Sequence, residues 1–312
     1  MKKWLFSSLV ILFVLVLSAC SLEQGSEEEE EPNGNDADTG DGEVVIGLSI
    51  STLNNPFFVT LRDGAEAKAE ELGYEVRTVD AQNDPATQLS DIEDLIQQGV
   101  DLLIINPTDS DAVGAAIESA NNADIPVITV DRSATTGEVV THIASDNAAG
   151  GKMAGEFIIE QVGDSGKLIE LEGIAGSSAA RERGAGFNDA VSAAAGFEVV
   201  AKQTANFDRA EGLSVMENII QSNPEFDAVF AHNDEMALGA LQALEAAGME
   251  DVIVVGFDAT ADAVAAVEEG RMDATVAQKP DLMGAQAVEA AEKVLAGETV
   301  DEFIPVELEL VK

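Results

Sequence analysis

Residues 101–132 read DLLIINPTDSDAVGAAIESANNADIPVITVDR. Two aliphatic runs, 101–105 and 126–130, each give way to planar polar side chains: Asn106 after the first, Asp131 and Arg132 after the second. Unbroken apolar runs of this length suit strands buried on both faces, and the long segment between them leaves room for a crossover rather than a hairpin. Together they predict a parallel β-α-β unit whose strands end in chemistry.

The same unit repeats in both directions. Further strand-like runs occur at 44–50, 75–79, 139–144, 167–171, 198–203, 228–231, 252–256, 274–277 and 303–310, eleven in all, alternating with segments of helical period. Leu61, Ala65, Ala69 and Leu72 share one helix face, opposite Arg62, Glu66, Glu70 and Glu71. Asp84 and Pro85 open a second helix, whose predicted buried stripe is Leu89, Ile92 and Ile96. Asp208 and Glu211 are predicted to cap each other at the start of a helix carrying Leu213, Met216 and Ile220. The predicted class is α/β with parallel sheets, and the length suits two lobes.

Polar and aromatic residues stand at nearly every strand end. Asn55, Phe57 and Phe58 follow the first run, and Asn106, Asp131 and Arg132 the third and fourth. Arg181 and Arg183 follow the run ending near Leu171, Phe207 follows Gln203, Asn233 follows Ala231, Asp258 follows Phe257, and Gln278 follows Ala277. Ligands of open parallel sheets bind outside the carboxyl ends of the strands, so these residues are predicted to share one site. Asn, Asp, Arg and Gln offer paired donors and acceptors, and phenylalanines offer flat apolar faces. A small sugar, with hydroxyls on its rim and C–H groups on its faces, matches that set. A phosphate would call for a glycine nest or a lysine instead.

Composition narrows the classes further. The chain has 312 residues with 59 Asp and Glu against 16 Lys and Arg, a formal charge of −43, one cysteine and two histidines. A disulfide scaffold, a Cys/His zinc site and a duplex-binding surface are excluded, and no cofactor or metal is expected. Lys2 and Lys3, an apolar run to Leu17 and small residues thereafter predict a signal peptide over 1–19. Leu17-Ser18-Ala19-Cys20 resembles the lipobox of bacterial lipoproteins, which implies lipidation of Cys20 and an extracytoplasmic, membrane-anchored protein. Residues 20–43 are acidic and almost free of apolar side chains, a predicted disordered tether spanning on the order of 25 Å. Without the two lysines and ten acids of residues 1–43, residues 44–312 still carry 49 acids and 14 bases, or −35. A neutral ligand does not explain that charge; a surface suited to high salt does.

Competing motifs are weaker. Gly150-Gly151-Lys152 lacks the first glycine of a phosphate loop and has Met153 where Ser or Thr would hold magnesium, so Ala148, Gly151 and Gly155 read better as helix packing. The Gly- and Ser-rich stretch 173–179 holds no nucleophile elbow. His142 lies inside an apolar run and reads as a core histidine; His232 is placed either at the pocket rim or in the structure beneath it. Asp131 and Asp258 form the one carboxylate pair available to a glycosidase, but Arg132 and Arg183 beside them favour ionised carboxylates that bind hydroxyls over an acid that protonates a leaving group.

At these residues a family resemblance enters. STLNNPFF (51–58), INPTDSDAV (105–113), PVITVDR (126–132), HIASDN (142–147), GIAG (173–176), SAARERG (178–184), NDEMALGAL (233–241) and VVGFD (254–258) are together similar to the bacterial D-ribose-binding proteins, of the periplasmic sugar-binding family that serves ABC transporters. The match spans essentially all of 44–312. It implies two lobes, 44–145 with 279–307 and 146–278 with 308–312, joined by three hinge strands near Ser145 and Asp146, near Gln278 and Lys279, and near Glu307 and Leu308. It further implies that Asn55, Phe57, Phe58, Asn106, Asp131 and Arg132 from one lobe, and Arg183, Phe207, Asn233, Phe257, Asp258 and Gln278 from the other, close over a pentose. A monomer delivering D-ribose to a membrane ABC permease follows from the resemblance. A sensor feeding a chemoreceptor or sensor kinase is the alternative, and an extracytoplasmic sugar enzyme a further one. The departures from the family pattern are His232 where Gln is usual, Ala259 where Gly is usual, and one extra residue around 193–196.

Overall fold

The computed structural model describes residues 44–223 and 225–312. The predicted signal peptide, the acidic tether and Cys20 lie outside the described residues. The chain begins with β1 (Val45–Ile50), α1 (Pro56–Leu72), β2 (Glu75–Asp80), α2 (Pro85–Gln97), β3 (Leu102–Ile105), α3 (Gly114–Asn122), β4 (Val127–Val130) and β5 (Thr141–Ser145). It continues through α4 (Asn147–Val162), β6 (Gly166–Glu172), α5 (Ser178–Ala193), β7 (Phe197–Thr204), α6 (Arg209–Ser222), β8 (Ala228–Ala231), α7 (Asp234–Ala247), β9 (Ile253–Asp258), α8 (Ala261–Glu268) and β10 (Ala274–Ala277). The last elements are α9 (Pro280–Leu295), β11 (Phe303–Val306) and β12 (Glu309–Val311).

Two six-stranded sheets result, ordered β11-β5-β4-β3-β1-β2 and β12-β10-β9-β8-β6-β7. Setting aside the last-joined edge strand, both follow the doubly wound order 2-1-3-4-5, which places a crevice between the first and third strands at their carboxyl ends. Every pairing is parallel except β10 with β12. Each sheet with its flanking helices forms one lobe. The chain passes between lobes three times: after β5, after β10 and after β11.

Local sequence accounts for most boundaries. The four residues of β3 are all buried because helices cover both faces of the sheet. Asn55 caps α1 by accepting from the Phe57 amide, Pro56 occupies the first turn, and Gly73 ends the helix at φ 74°. Three expectations need correction. The single run 303–310 is two strands, β11 in one sheet and β12 in the other. The buried side chains of α2 are Gln88, Ile92 and Leu95, while Leu89 and Ile96 are only half-buried. Asp208 caps α6 by accepting from the Glu211 amide at 2.9 Å, but Glu211 does not reciprocate; its carboxylate accepts from Asn206 instead.

Small residues set the helix spacing that matters for the site. A Cβ added at Gly151 of α4 would overlap the carbonyl of Arg183 on α5, and one at Gly186 would overlap the carbonyl of Ala148. The two helices therefore pack backbone to backbone, and Arg183 is held close to α4.

Candidate functional site

In the first lobe the site begins with helix geometry. Asn55 spends its Oδ1 on the α1 cap, and the next turn carries Phe57 and Phe58, buried and set edge to face at 5.1 Å. Asp131 follows β4 at φ 64°, a left-handed conformation that costs a non-glycine residue on the order of 1 kcal/mol. Its Oδ2 accepts from Asn106 Nδ2 at 3.1 Å and lies 3.5 Å from Arg132 Nε. Arg132 donates to the Pro107 carbonyl at 3.2 Å and sits over Phe58 at 5.0 Å and Phe207 at 5.2 Å. Its Nε has no hydrogen-bond partner among the described residues. Burial lowers its pKa to about 10, against the pull of Asp131, so it stays a cation at neutral pH.

The second lobe supplies a facing set. Arg183 of α5 donates to Asn147 Oδ1 at 2.8 Å and to the His232 carbonyl at 2.6 Å, and lies 3.5 Å from Asp258 Oδ1. Its guanidinium stands 3.8 Å over Phe257. Asn233 caps α7 through Oδ1 and donates from Nδ2 to the Phe207 carbonyl at 3.3 Å. Phe207 and Asp258 are both at positive φ, 59° and 116°. Gln278 donates to Asp258 Oδ1 at 2.9 Å, and its Oε1 has no partner among the described residues. Burial pushes the Asp258 carboxyl up, opposed by Arg183 and Gln278, to about 7. Arg183 alone thus does not keep Asp258 in the usual carboxylate range, contrary to the expectation of two firmly ionised aspartates.

These residues converge on one narrow cavity lined by Asn55, Phe57, Phe58, Asp131, Arg132, Ala179, Arg183, Phe207, Asn233 and Asp258. Among the described residues, three hydrogen bonds join the lobes beside it. The Ser110 amide donates to the Gly176 carbonyl at 2.9 Å, the Ser178 amide to Ser110 Oγ at 3.2 Å, and the Ser133 amide to Ser178 Oγ at 2.9 Å.

Three predicted site residues do not line the cavity. Asn106 gives its Nδ2 to Val130 and Asp131 and accepts from the Ser51 amide, so it holds Asp131 rather than open space. Phe257 lies behind Arg183, and Gln278 behind Asp258. Ala179 lines the cavity unpredicted; an alanine carries no chemical signal. Arg181 is exposed, donating to the Gly176 carbonyl at 2.8 Å. His142 bonds Thr129 at 2.9 Å. His232 lies beneath the cavity, its ring 3.0 Å from buried Glu170 and accepting from the Gly173 amide. Of the residues named at the crossings, Ser145 ends β5, Asp146 caps α4 through the Ala149 amide, Gln278 and Lys279 lie between β10 and α9, and Glu307 and Leu308 between β11 and β12. Ala259, where glycine was expected, has φ 52°, which explains why glycine suits that position.

Residues 46–299 match the family described as periplasmic binding protein domain. The chain belongs to the periplasmic binding proteins. This periplasmic binding protein is 58% identical over 267 residues to a ribose import binding protein of Escherichia coli, covering 86% of this chain and 90% of that one. It is 51% identical over 310 residues to the ribose import binding protein of Bacillus subtilis, covering 99% of both. Among solved structures, a solute binding protein of an ABC transporter from Bacillus halodurans with bound myo-inositol superposes with a TM-score of 0.82 at 38% identity, covering 87% of this chain and 96% of that one. The family is one of solute-binding proteins rather than enzymes.

Proposed function

We propose that this chain is an extracytoplasmic receptor that captures D-ribose between its two lobes and delivers it to a membrane ABC permease. The observation that carries the reading is the cavity itself. Each lobe contributes an Arg and an Asp, and phenylalanines from both lobes flank the arginines, so a small neutral polyol can be bonded along its rim and packed on its faces. Arg132 Nε supplies a donor that has no hydrogen-bond partner among the described residues. Among such polyols, similarity to relatives named for ribose import favours ribose. Ligand favours the joined lobes because only that arrangement offers contacts from both. The crossings at Ser145–Asp146, Gln278–Lys279 and Glu307–Leu308 serve as the hinge. Lipid on Cys20, with the acidic tether, keeps the monomeric receptor at the membrane. A thermal-shift panel of monosaccharides tests the ligand. At about one hundred times Kd, ribose should stabilise the fold by ~2.7 kcal/mol, and a larger shift with another sugar would reassign it.

A further inference from the structure

Asp234, the first residue of α7, is fully buried yet does not line the cavity. Its Oδ2 accepts from the Thr260 amide at 2.7 Å and the Thr260 hydroxyl at 3.1 Å, and its Oδ1 accepts from the Thr275 hydroxyl at 2.7 Å. Thr275 Oγ1 in turn accepts from the Ala259 amide at 3.1 Å. Both amides that follow Asp258 are therefore anchored on Asp234, one directly and one through Thr275.

What they anchor is strained. Asp258 at φ 116° and Ala259 at φ 52° are consecutive non-glycine residues on the positive side of φ. Such a pair persists only where its surroundings over-determine it. The cap of α7 does not require Asp234, since Asn233 already accepts from the Met236 amide. The acid is also an expensive group to keep: burial, with the Asp258 charge nearby, pushes its carboxyl up to about 8. A buried acid that the helix does not need, tied to a strained turn that ends in a cavity carboxylate, has a use in shaping that turn.

We propose that Asp234 is a positioning residue for the sugar: directly through the Thr260 amide, and through Thr275, it clamps the left-handed turn that presents the Asp258 carboxylate to the cavity. The inference rests on the ribose reading above. Asn at this position should retain much of the effect: its carbonyl can accept from Thr260 as the carboxylate does, and its amide can donate to Thr275 Oγ1, reversing the direction of that bond while keeping Thr275 tied to the turn.

The test is calorimetry with D-ribose on the wild type, Asp234→Ala, Asp234→Asn and Thr275→Val, with Asp234→Ala and Thr275→Val repeated in an Asp258→Asn background at millimolar sugar. Unfolding midpoints of the sugar-free proteins are measured alongside. Asp234→Ala and Thr275→Val should each weaken binding about tenfold, the worth of one hydrogen bond to a charged group. In the Asp258→Asn background each should cost less than about twofold, because the group being positioned is already altered. Asp234→Asn should bind within about threefold of the wild type. Loss of stability alone would move the midpoints in both backgrounds without this difference in affinity. Equal weakening in both backgrounds, or none in either, overturns the inference while leaving the ribose reading intact. If the wild type itself gives no ribose heat, the ribose reading fails and this inference with it. Should Asp234→Ala not fold, Thr275→Val is judged by the same two backgrounds.

Discussion

Arg183 stands 3.8 Å over the ring of Phe257 and 3.5 Å from the carboxylate of Asp258, the next residue in the chain. The last two residues of β9 thus offer the guanidinium both a π face and a counter-ion, while Asn147 and the His232 carbonyl take two of its remaining donors. The arginine is fixed before any ligand arrives, and a fixed charged donor loses little entropy on binding.

Removing it should be costly for recognition. Arg183→Ala and, on the other lobe, Asp131→Ala are each expected to weaken D-ribose binding at least about a hundredfold, more than one charged hydrogen bond is worth on average, because each also leaves a buried partner unmatched. Calorimetry with circular dichroism as the folding control checks this. Unchanged affinity in a folded variant removes that residue from the site.

Asp258 is expected to make binding pH-dependent. With its carboxyl raised to about 7 by burial, acidification through that range protonates a group that accepts hydrogen bonds as a carboxylate, so ribose affinity should fall below about pH 7. For folding the sign is opposite: the sugar-free native state holds a proton that the unfolded chain releases near the ordinary carboxylate range, so this group's contribution is full below about pH 4 and is lost as pH rises through about 7. Affinity measured from about pH 5.5 to 8.5 should show the acid limb, and Asp258→Asn should flatten it. A flat wild-type profile contradicts the assignment.

A glycine takes part in the lobe-to-lobe contacts. A Cβ at Gly176 would overlap the carboxylate of Asp109 across the gap, and the Gly176 carbonyl accepts from the Ser110 amide. Gly176→Ala touches no cavity residue, yet it should disfavour the joined arrangement and reduce apparent affinity about tenfold by lowering the competent population. Small-angle scattering with saturating ribose should show a larger radius of gyration than wild type at equal sugar. An unchanged affinity would mean that these contacts do not limit closure.

The same sequence that marked these positions also concealed some of them. Strands such as β3 were legible because burial on both faces demands an unbroken apolar run. The buried face of α2 was misread because it includes Gln88, whose amide bonds Ser49 Oγ at 3.1 Å and the Asn106 carbonyl at 2.9 Å and accepts from Thr108; hydrophobic periodicity cannot see a polar group satisfied inside. The split of 303–310 was hidden because Glu307 and Leu308 carry no Gly or Pro to mark the crossing. Asp131, Arg132, Asn233 and Asp258 were legible at the cavity from their place at strand ends, whereas Arg183 reaches it from within α5. Asp234 was not, since an acid in the first turn of a helix reads as an ordinary dipole partner.

The surface charge calls for its own measurement. Most basic side chains of the exposed faces already meet acids, as Lys68 does with Glu71 and Glu289 and Arg209 with Glu235 and Asp262, so the −35 of residues 44–312 is largely excess repulsion. Screening should relieve it, and the unfolding midpoint is expected to rise by several degrees from low salt to about 1 M NaCl. A flat or falling midpoint counts against a surface adapted to salt.

The most direct measurement is isothermal titration of the purified wild-type protein with D-ribose at neutral pH. The expected result is one saturable site with a Kd of about micromolar or tighter, near −8 kcal/mol. No heat and no saturation up to millimolar sugar would contradict the assignment of this cavity to ribose.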